Sequence, residues 1–522
     1  MNTQPAAPAP ARPAPVLDLA TRHAQALTGQ LRCFDRVILH GTLVDVAYPG
    51  ALLTQMDAAG FRPRDVARFA QPFNAQIRDN ALALARQHGV EIEVVTRKNF
   101  RQEDRVAALL KTRGAQPGLV HVFAVKETAQ VYDTRHARAD GYAQVFVRRG
   151  CCLHYYFYFL HERLGLIHVR VPTWLPFRVQ VYLNGHSWLD RQLSAAGIPH
   201  ALADNALSAC ADWPRAQALA DALDPQALHA ELDALARLCA PVVAHFPNGY
   251  YWSLTQVEYA HDLVFQDAAV VDGLFDALAR EALLAVKVAD VARFLGKRVP
   301  QAHDTPVNSH LGRRHAGLRL KHSLGPASVK IYNKPGGILR LEVTTYDVSF
   351  FRHYRTVTHQ DGTQEECVAT MKKSLYSLRA LAGVMRAGVE RYGQWLATLV
   401  ECSASRREVE QLGAPARDAG GRSHRGFNLF LEADVTALAT VLRGEYALGG
   451  LTHRRLRQAL PQWKRSQVGR LLRRLHLHGL LRKIGRTYTY YLTGLGQRVL
   501  AAVLHLRELV VLPHLLVGPA KP

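Results

Sequence analysis

Apolar and polar positions change period repeatedly along the chain, and before residue 150 they alternate between helical and extended spacing. Residues 17–31 carry helical spacing, CFDRVILHGTLVDV then reads as extended with a bend at Gly41, and helical stretches follow over 51–59 and 65–88. VEIEVV (90–95) and LVHVFAV (119–125) are short apolar runs of the kind buried strands show, with helical spacing over 103–112 between them. Strands alternating with helices predict an α/β unit over residues 17–145.

From residue 145 to 189 the chain is dense in aromatics. Two β-rich runs, HVRVPTW and FRVQVYL, flank Pro172 and Pro176, and Asn184-Gly185 reads as a turn. A helix over 187–196 is expected to open on Ser187, with Asp190 three positions on as an approximate capping box. Residues 213–294 read as helical almost throughout. That stretch includes 253–265, where Leu254, Val257, His261 and Val264 share one stripe and Glu258 and Asp262 lie one turn apart. This predicts a helical layer packed on the preceding sheet. SVKIYNKPGGILRLEVTT (328–345) predicts a hairpin about its Lys-Pro-Gly-Gly turn, and 366–406 returns to helix. The small, polar stretch 413–426 reads as flexible linker.

Together these predict an α/β (α+β) multidomain chain: a Pro/Ala-rich disordered tail (1–16), an α/β domain (17–145), a mixed β/helical domain (146–410), a linker (411–427) and a C-terminal domain (428–512). The tail lacks the apolar core of a signal peptide, and no run has the length needed to span a bilayer. Seven scattered cysteines without CxxC spacing argue against a disulfide framework or a zinc site, and fit a cytoplasmic protein.

Charge changes the picture more than composition does. The 522 residues carry a net charge of +22, of which +11 falls within residues 433–512. A polyanion is the expected partner, nucleic acid first and an anionic membrane surface second. The bias is sharpest in THRRLRQALPQWKRSQVGRLLRRLHLHGLLRKIGRTYTYYLT (452–493), where residues 452–486 hold eleven Lys or Arg and no acid. The spacing predicts a helix over 433–442, a second over 452–460 capped by Thr452 and stopped by Pro461, and a third over 464–478. After Gly479 comes a hairpin with Gly485-Arg486 at its tip, then a closing helix over 495–506. On the third helix Val468, Leu471, Leu472 and Leu475 form the core stripe, and Ser466, Gln467, Arg470, Arg473 and Arg474 lie opposite. This order resembles the winged helix-turn-helix domains of bacterial regulators of the MarR or ArsR kind. The resemblance implies that the outward residues of the third helix enter a major groove of duplex DNA while Lys483 and Arg486 on the wing meet the backbone. It also allows a homodimer built on the closing helix.

The hairpin at 328–345 carries the strongest candidate chemistry. Tyr332-x-Lys334 followed by Leu339-Arg-Leu-Glu342 resembles a strand pair of replication initiators from filamentous phages and rolling-circle plasmids. That resemblance implies Glu342 as ligand to Mg²⁺ or Mn²⁺, with Asp347 as a second carboxylate. It implies Lys330, Lys334 and Arg340 as phosphate contacts, and Tyr354, Tyr346 or Tyr376 as nucleophile toward a DNA phosphate. The plainer reading pairs Arg340 and Glu342 with neighbours across the strands. Asp35, Glu127 and either Asp190 or Asp204 could also compose a carboxylate metal site on a sheet. His154 has the wrong spacing to Cys151 and Cys152 for zinc, and with Tyr155, Tyr156 and Tyr158 reads as core aromatic. Arg170, Trp174, Arg178, Tyr182, Asn184, His186 and Trp188 form a polar-aromatic set around turns, a second candidate surface.

Three functions remain open on the sequence. One is a DNA-binding protein whose body serves DNA transactions of a mobile element or plasmid. Another is a divalent-metal-dependent nicking or strand-transfer enzyme. The last is a non-catalytic transcriptional regulator with a ligand-sensing or oligomerising body.

Overall fold

The computed structural model describes residues 18–97, 99–114, 116–136, 143–298, 307–314, 317–399, 406–443, 446, 450–485 and 487–507. Among the described residues up to 345 the strands are β1 (Leu27–Leu43), β2 (Ile92–Val95), β3 (Gly118–His136), β4 (Ala143–His161), β5 (Gly165–Pro172), β6 (Val179–Leu183), β7 (His200–Ala203), β8 (Ala206–Cys210), β9 (Tyr250–Phe265), β10 (Asn308–Arg314), β11 (Gly317–Leu324), β12 (Ala327–Lys334) and β13 (Ile338–Thr345). All but the β7–β8 hairpin join one eleven-stranded sheet in the order β10-β11-β12-β13-β9-β1-β6-β5-β4-β3-β2. Within it β2 and β3 run parallel, and the other pairs are antiparallel. The fold is α/β and multidomain, as expected, but the partition is not. β3 up to His136 pairs with β4 from Ala143 to Leu160, so one sheet crosses the boundary expected at 145/146.

The largest correction is β9. Residues expected as helix over 253–265 form a central strand between β1 and β13. Every position from Val257 to Phe265 is buried, so the alternation that marks a half-exposed strand is missing there. The stretch 17–31 departs likewise. A single α-helical turn, Leu19–Arg22, and a short 3-10 turn, Ala24–Ala26, precede β1, and Gly29 of β1 lies against the Trp213 ring. The helix expected from 366 starts at Leu378; Arg352–Thr358 and Gln364–Thr370 form a separate hairpin instead. The hairpin predicted at 328–345 is present as β12 and β13. Asn184 opens the next helix, Gly185–Ala195, accepting from the Ser187 amide, so Asn184-Gly185 is a helix start and Ser187 is not its cap.

The two faces of the sheet differ. On one, Leu339, Leu341 and Val343 pack with Val257, Tyr259 and Leu263 under the helix Leu378–Thr398 and its Tyr392 and Trp395. Gly388 and Gly393 permit this approach, since a Cβ at either would sit 3.2 Å from Val343 or Leu341. The other face carries charge across neighbouring strands. Lys330 lies opposite Glu342, Tyr332 opposite Arg340, Arg340 opposite Asp262, and Thr344 opposite Glu258. The β7–β8 hairpin and the helix Gly185–Ala195 pack over part of this polar side.

The C-terminal domain has its own apolar core. Its helices are Glu432–Val441, His453–Ala459, Arg465–Leu477 and Gly494–Leu506, and Leu451–Thr452, Leu481–Lys483 and Thr489–Leu492 form a small sheet beside them. The stretch expected as linker over 411–427 is folded onto this core. It contains the short hairpin Ala416–Arg417/Ser423–His424, and Leu412 and Phe427 are buried against the domain. No helix among the described residues is long and apolar enough to cross a membrane.

Candidate functional site

A β-bulge sets the centre of the body. Between Phe34 and Arg36 the β1–β9 register shifts by one residue, and the extra residue, Asp35, turns its carboxylate into the polar layer. Arg340 of β13 lies 1% exposed beneath it. Its Nη1 donates to Asp35 Oδ1 at 2.8 Å; its Nε and Nη2 donate to the two oxygens of Asp262 at 2.6 and 2.7 Å. His186 reaches both carboxylates, at 3.0 Å from Asp262 and 3.3 Å from Asp35. Its Nε2 also lies 3.0 Å from Arg340 Nη2, two donors converging on the same Asp262 oxygen. Asn205, in the β7–β8 turn, donates to Asp35 at 2.8 Å, accepts from Lys334, and offers its carbonyl to Arg340. Asp204, at φ 57° in that turn, accepts from Lys334 at 3.1 Å.

These contacts fix the charge states. Burial opposes charging of Asp35 and Asp262, but Arg340 and then His186 outweigh it and hold both carboxyls far below the usual range. Burial likewise opposes charge on His186. The Cys33 sulfur at 3.3 Å and the two aspartates overcome both burial and the Arg340 charge, and raise its pKa well above the ordinary value.

A second cluster adjoins the first. Lys330 Nζ donates to Glu342 at 2.5 Å and to Glu258 at 3.4 Å, Thr344 donates to Glu342 at 2.7 Å, and Arg36 lies 3.7 Å from Glu258. Burial, with the Glu258 and Asp35 charges, pushes the Glu342 carboxyl upward against the pull of Lys330. Asp35, Glu258 and Glu342 present ligand oxygens within 4.8 Å of one another, a set able to hold a cation. The chain's own cations already neutralise it, with the Lys330 ammonium between two of the carboxylates. Hard oxygen ligands fit a divalent metal; a metal there must displace Lys330.

The predicted residues are therefore partly gathered. Asp35, Glu342, Lys330, Lys334, Arg340 and Asp204 converge. Lys330, Lys334 and Arg340 are nonetheless buried and ion-paired, so as they stand they cannot be surface phosphate contacts. Asp347 is outside the carboxylate group. It caps the turn Val348–Phe350 through Ser349 and pairs with Lys373. Tyr354 is exposed on the separate hairpin, Tyr346 is exposed beyond β13, and Tyr376 bonds His229, whereas the tyrosines beside the cluster are Tyr332, its ring 5.9 Å from Lys330 Nζ, and Tyr182, its ring 5.6 Å from the Arg36 guanidinium. Glu127 lies elsewhere, accepting from Arg170 and Tyr156, and Asp190 pairs with His200. Glu258 and Asp262 do share a face, but as i and i+4 of a strand. Arg36 and Asn205 went unforeseen; the charged pair Asp35-Arg36 inside the apolar run CFDRVIL was the available signal.

The basic C-terminal face resolves differently. Val468, Leu471, Leu472 and Leu475 are buried, and Ser466, Gln467, Arg470 and Arg473 are exposed, as the helical wheel predicts. Gln467 Oε1 accepts the Lys464 amide at 2.6 Å, closing the first turn. Arg473 reaches Asp418 at 3.3 Å. Arg474 does not face outward. It is 8% exposed, paired with Asp434 at 3.1 and 3.3 Å, bonded to the Gly426 and Arg425 carbonyls, and stacked 4.1 Å over Phe427. Lys483 is exposed, 5.1 Å over the Tyr488 ring, and Gly485 turns at φ 49°; Arg486 lies outside the described residues. No family model matches this chain, and no curated protein or solved structure matches it either.

Proposed function

We propose that this chain is a DNA-binding protein whose C-terminal domain acts as a winged helix on duplex DNA, with a body that serves DNA transactions. The observation that carries the reading is the outer face of the helix Arg465–Leu477. Arg470 and Arg473 stand exposed with Ser466 and Gln467, inside a run of residues free of acids, and the exposed Lys483 follows on the next hairpin. Long donors projecting from a helix are what base edges in a major groove require, and a cation on the hairpin suits phosphate. Replacing Arg470 or Arg473 with Ala should cost about 1–3 kcal/mol against a selected duplex and relax its sequence preference. Lys483→Ala should weaken all duplexes alike and lower the salt slope by about one. Anisotropy titrations over a salt series read both, and unchanged binding by an Arg470→Ala/Arg473→Ala double variant would refute the assignment.

A second reading, a Mg²⁺- or Mn²⁺-dependent nicking or strand-transfer enzyme, is supported by the convergence of Asp35, Glu258 and Glu342. In that reading the three carboxylates hold the ion, which would offset charge at a reacting phosphate. Cleavage of labelled single- or double-stranded DNA that needs the metal and disappears in Glu342→Gln is the result it expects. Cleavage that survives the substitution, or none with either ion, removes it.

A further inference from the structure

Away from the charge clusters, the polar face carries a cavity of about 280 Å³ where β1, β3, β4 and β5 meet the Thr173–Arg178 turn; His40, Gln130, His154, Arg170, Trp174 and Arg178 line it. Its polar groups are donors in excess. Arg170 spends its Nε on Glu127 at 2.6 Å, while Arg178 has only a 3.4 Å contact from Nη1 to Gln130. Among the described residues the Arg178 Nε is buried with no hydrogen-bond partner. A buried guanidinium nitrogen left in this state is costly unless a ligand completes it.

Two histidines of the cavity are held neutral, by burial first and by the neighbouring arginines second. Burial lowers His154 to about 4, with Arg170 acting in the same direction and Glu127 against it. Burial also lowers His40, against its bond to Gln180, and Arg178 and Arg170 add to the effect. Both imidazoles are neutral at pH 7, so they can bond a ligand without needing a counterion. The turn holds Arg178 in place from behind. Phe177 sits at φ 54°, a conformation a bulky residue keeps only when clamped, and its fully buried ring packs against Phe73. Trp174 is anchored by its Nε1 bond to the Tyr132 carbonyl at 3.1 Å, and its half-buried ring also borders a second cavity of about 540 Å³ that contains Arg78, Lys126 and Arg148.

We infer that the cavity is a phosphate site for a nucleotide, with the phosphoryl group between Arg178 and Arg170 and the base against Trp174. Guanidinium groups match phosphate oxygens in fork geometry, and an indole face stacks any base without reading it. The adjoining cavity past Trp174 gives a following nucleotide somewhere to go, so the same phosphate chemistry suits a free mononucleotide or one unit of a single strand. The site lies outside the C-terminal domain and does not depend on duplex binding by it.

Calorimetric titration of the full chain tests this with inorganic phosphate, nucleoside monophosphates, the matching nucleosides and a short single-stranded oligothymidylate. Nucleoside monophosphates should bind at least about tenfold more tightly than nucleosides, and Arg178→Gln should remove that advantage. Trp174→Leu should weaken nucleotide binding while leaving inorganic phosphate unchanged. Binding of the oligonucleotide that is tighter than that of the monomers and sensitive to Arg178→Gln assigns the site to a strand; the reverse order assigns it to a free nucleotide. Binding by neither form, or binding indifferent to Arg178→Gln in a variant with unchanged melting, overturns the inference. The Arg470→Ala/Arg473→Ala variant should bind mononucleotides normally, which separates this site from the duplex contact.

Discussion

Arg340→Met is expected to destabilise the body by about 3–5 kcal/mol at neutral pH, the range for removing one partner from a buried ion pair. Methionine keeps much of the side-chain volume, so the loss is electrostatic and not a cavity effect. It leaves Asp262, wholly buried, with His186 as its remaining cation, and leaves Asp35 with His186 and Asn205. The pH dependence separates this from generic misfolding. In the native chain both carboxyls have depressed pKa values. Their contribution is therefore present above the unfolded value of about 4 and lost only as pH falls through the lower folded values. In Arg340→Met the same buried carboxyls take up protons more readily, which relieves the penalty. The stability gap between variant and parent should be widest from neutral pH upward and narrow as the solution is acidified. Denaturant unfolding at several pH values measures it, and a gap independent of pH would show that Arg340 does not hold these charges. Asp262→Asn should be milder, since it deletes the buried charge and retains a hydrogen-bonding oxygen for Arg340.

How much of this was legible in sequence depends on how local the determining contacts are. The C-terminal helix expected over 464–478 is observed as Arg465–Leu477, because its stripe, its cap and its terminal glycine all lie within a few residues. The hairpin of β12 and β13 was equally plain from its Lys-Pro-Gly-Gly turn. β9 failed for a physical reason. A central strand buried on both faces loses its period of two, and Leu254, Val257 and Val264 then mimic a helical stripe. The acids Glu258 and Asp262 share a face under either reading, because positions four apart coincide on a strand as well as on a helix. Asp35 and Arg340 meet across 305 residues, through a bulge and two strand registers that no local pattern encodes. Lys330 and Arg340 could be picked out as functional cations, yet their burial against carboxylates from three strands could not.

Arg474 sharpens that lesson and gives the second large effect. Its position on the helical wheel is beside Gln467, away from the core stripe, so the helix alone places it outward. The segment 411–427 decides otherwise by folding back over that flank with Phe427 and the carbonyls of Arg425 and Gly426. Asp434, fully buried at the start of the helix Glu432–Val441, then completes the pair, aided by Arg425 at 3.2 Å. Arg474→Met should destabilise the C-terminal domain by about 3 kcal/mol, at the low end for a broken buried pair because Arg425 still reaches Asp434. The body rests on a different apolar core, so its own unfolding should shift little. Amide hydrogen exchange resolves the two, with protection lost over residues 465–477 and retained in β9 and β13. Below the melting of the variant domain, its duplex affinity should match that of the parent, since Arg470, Arg473 and Lys483 are untouched. Arg470→Ala should do the opposite, weakening DNA binding with no loss of protection. If Arg474→Met instead abolished binding while leaving exchange unchanged, Arg474 would belong with the DNA-facing residues after all, and the Asp434 pair would not be what holds this helix in place.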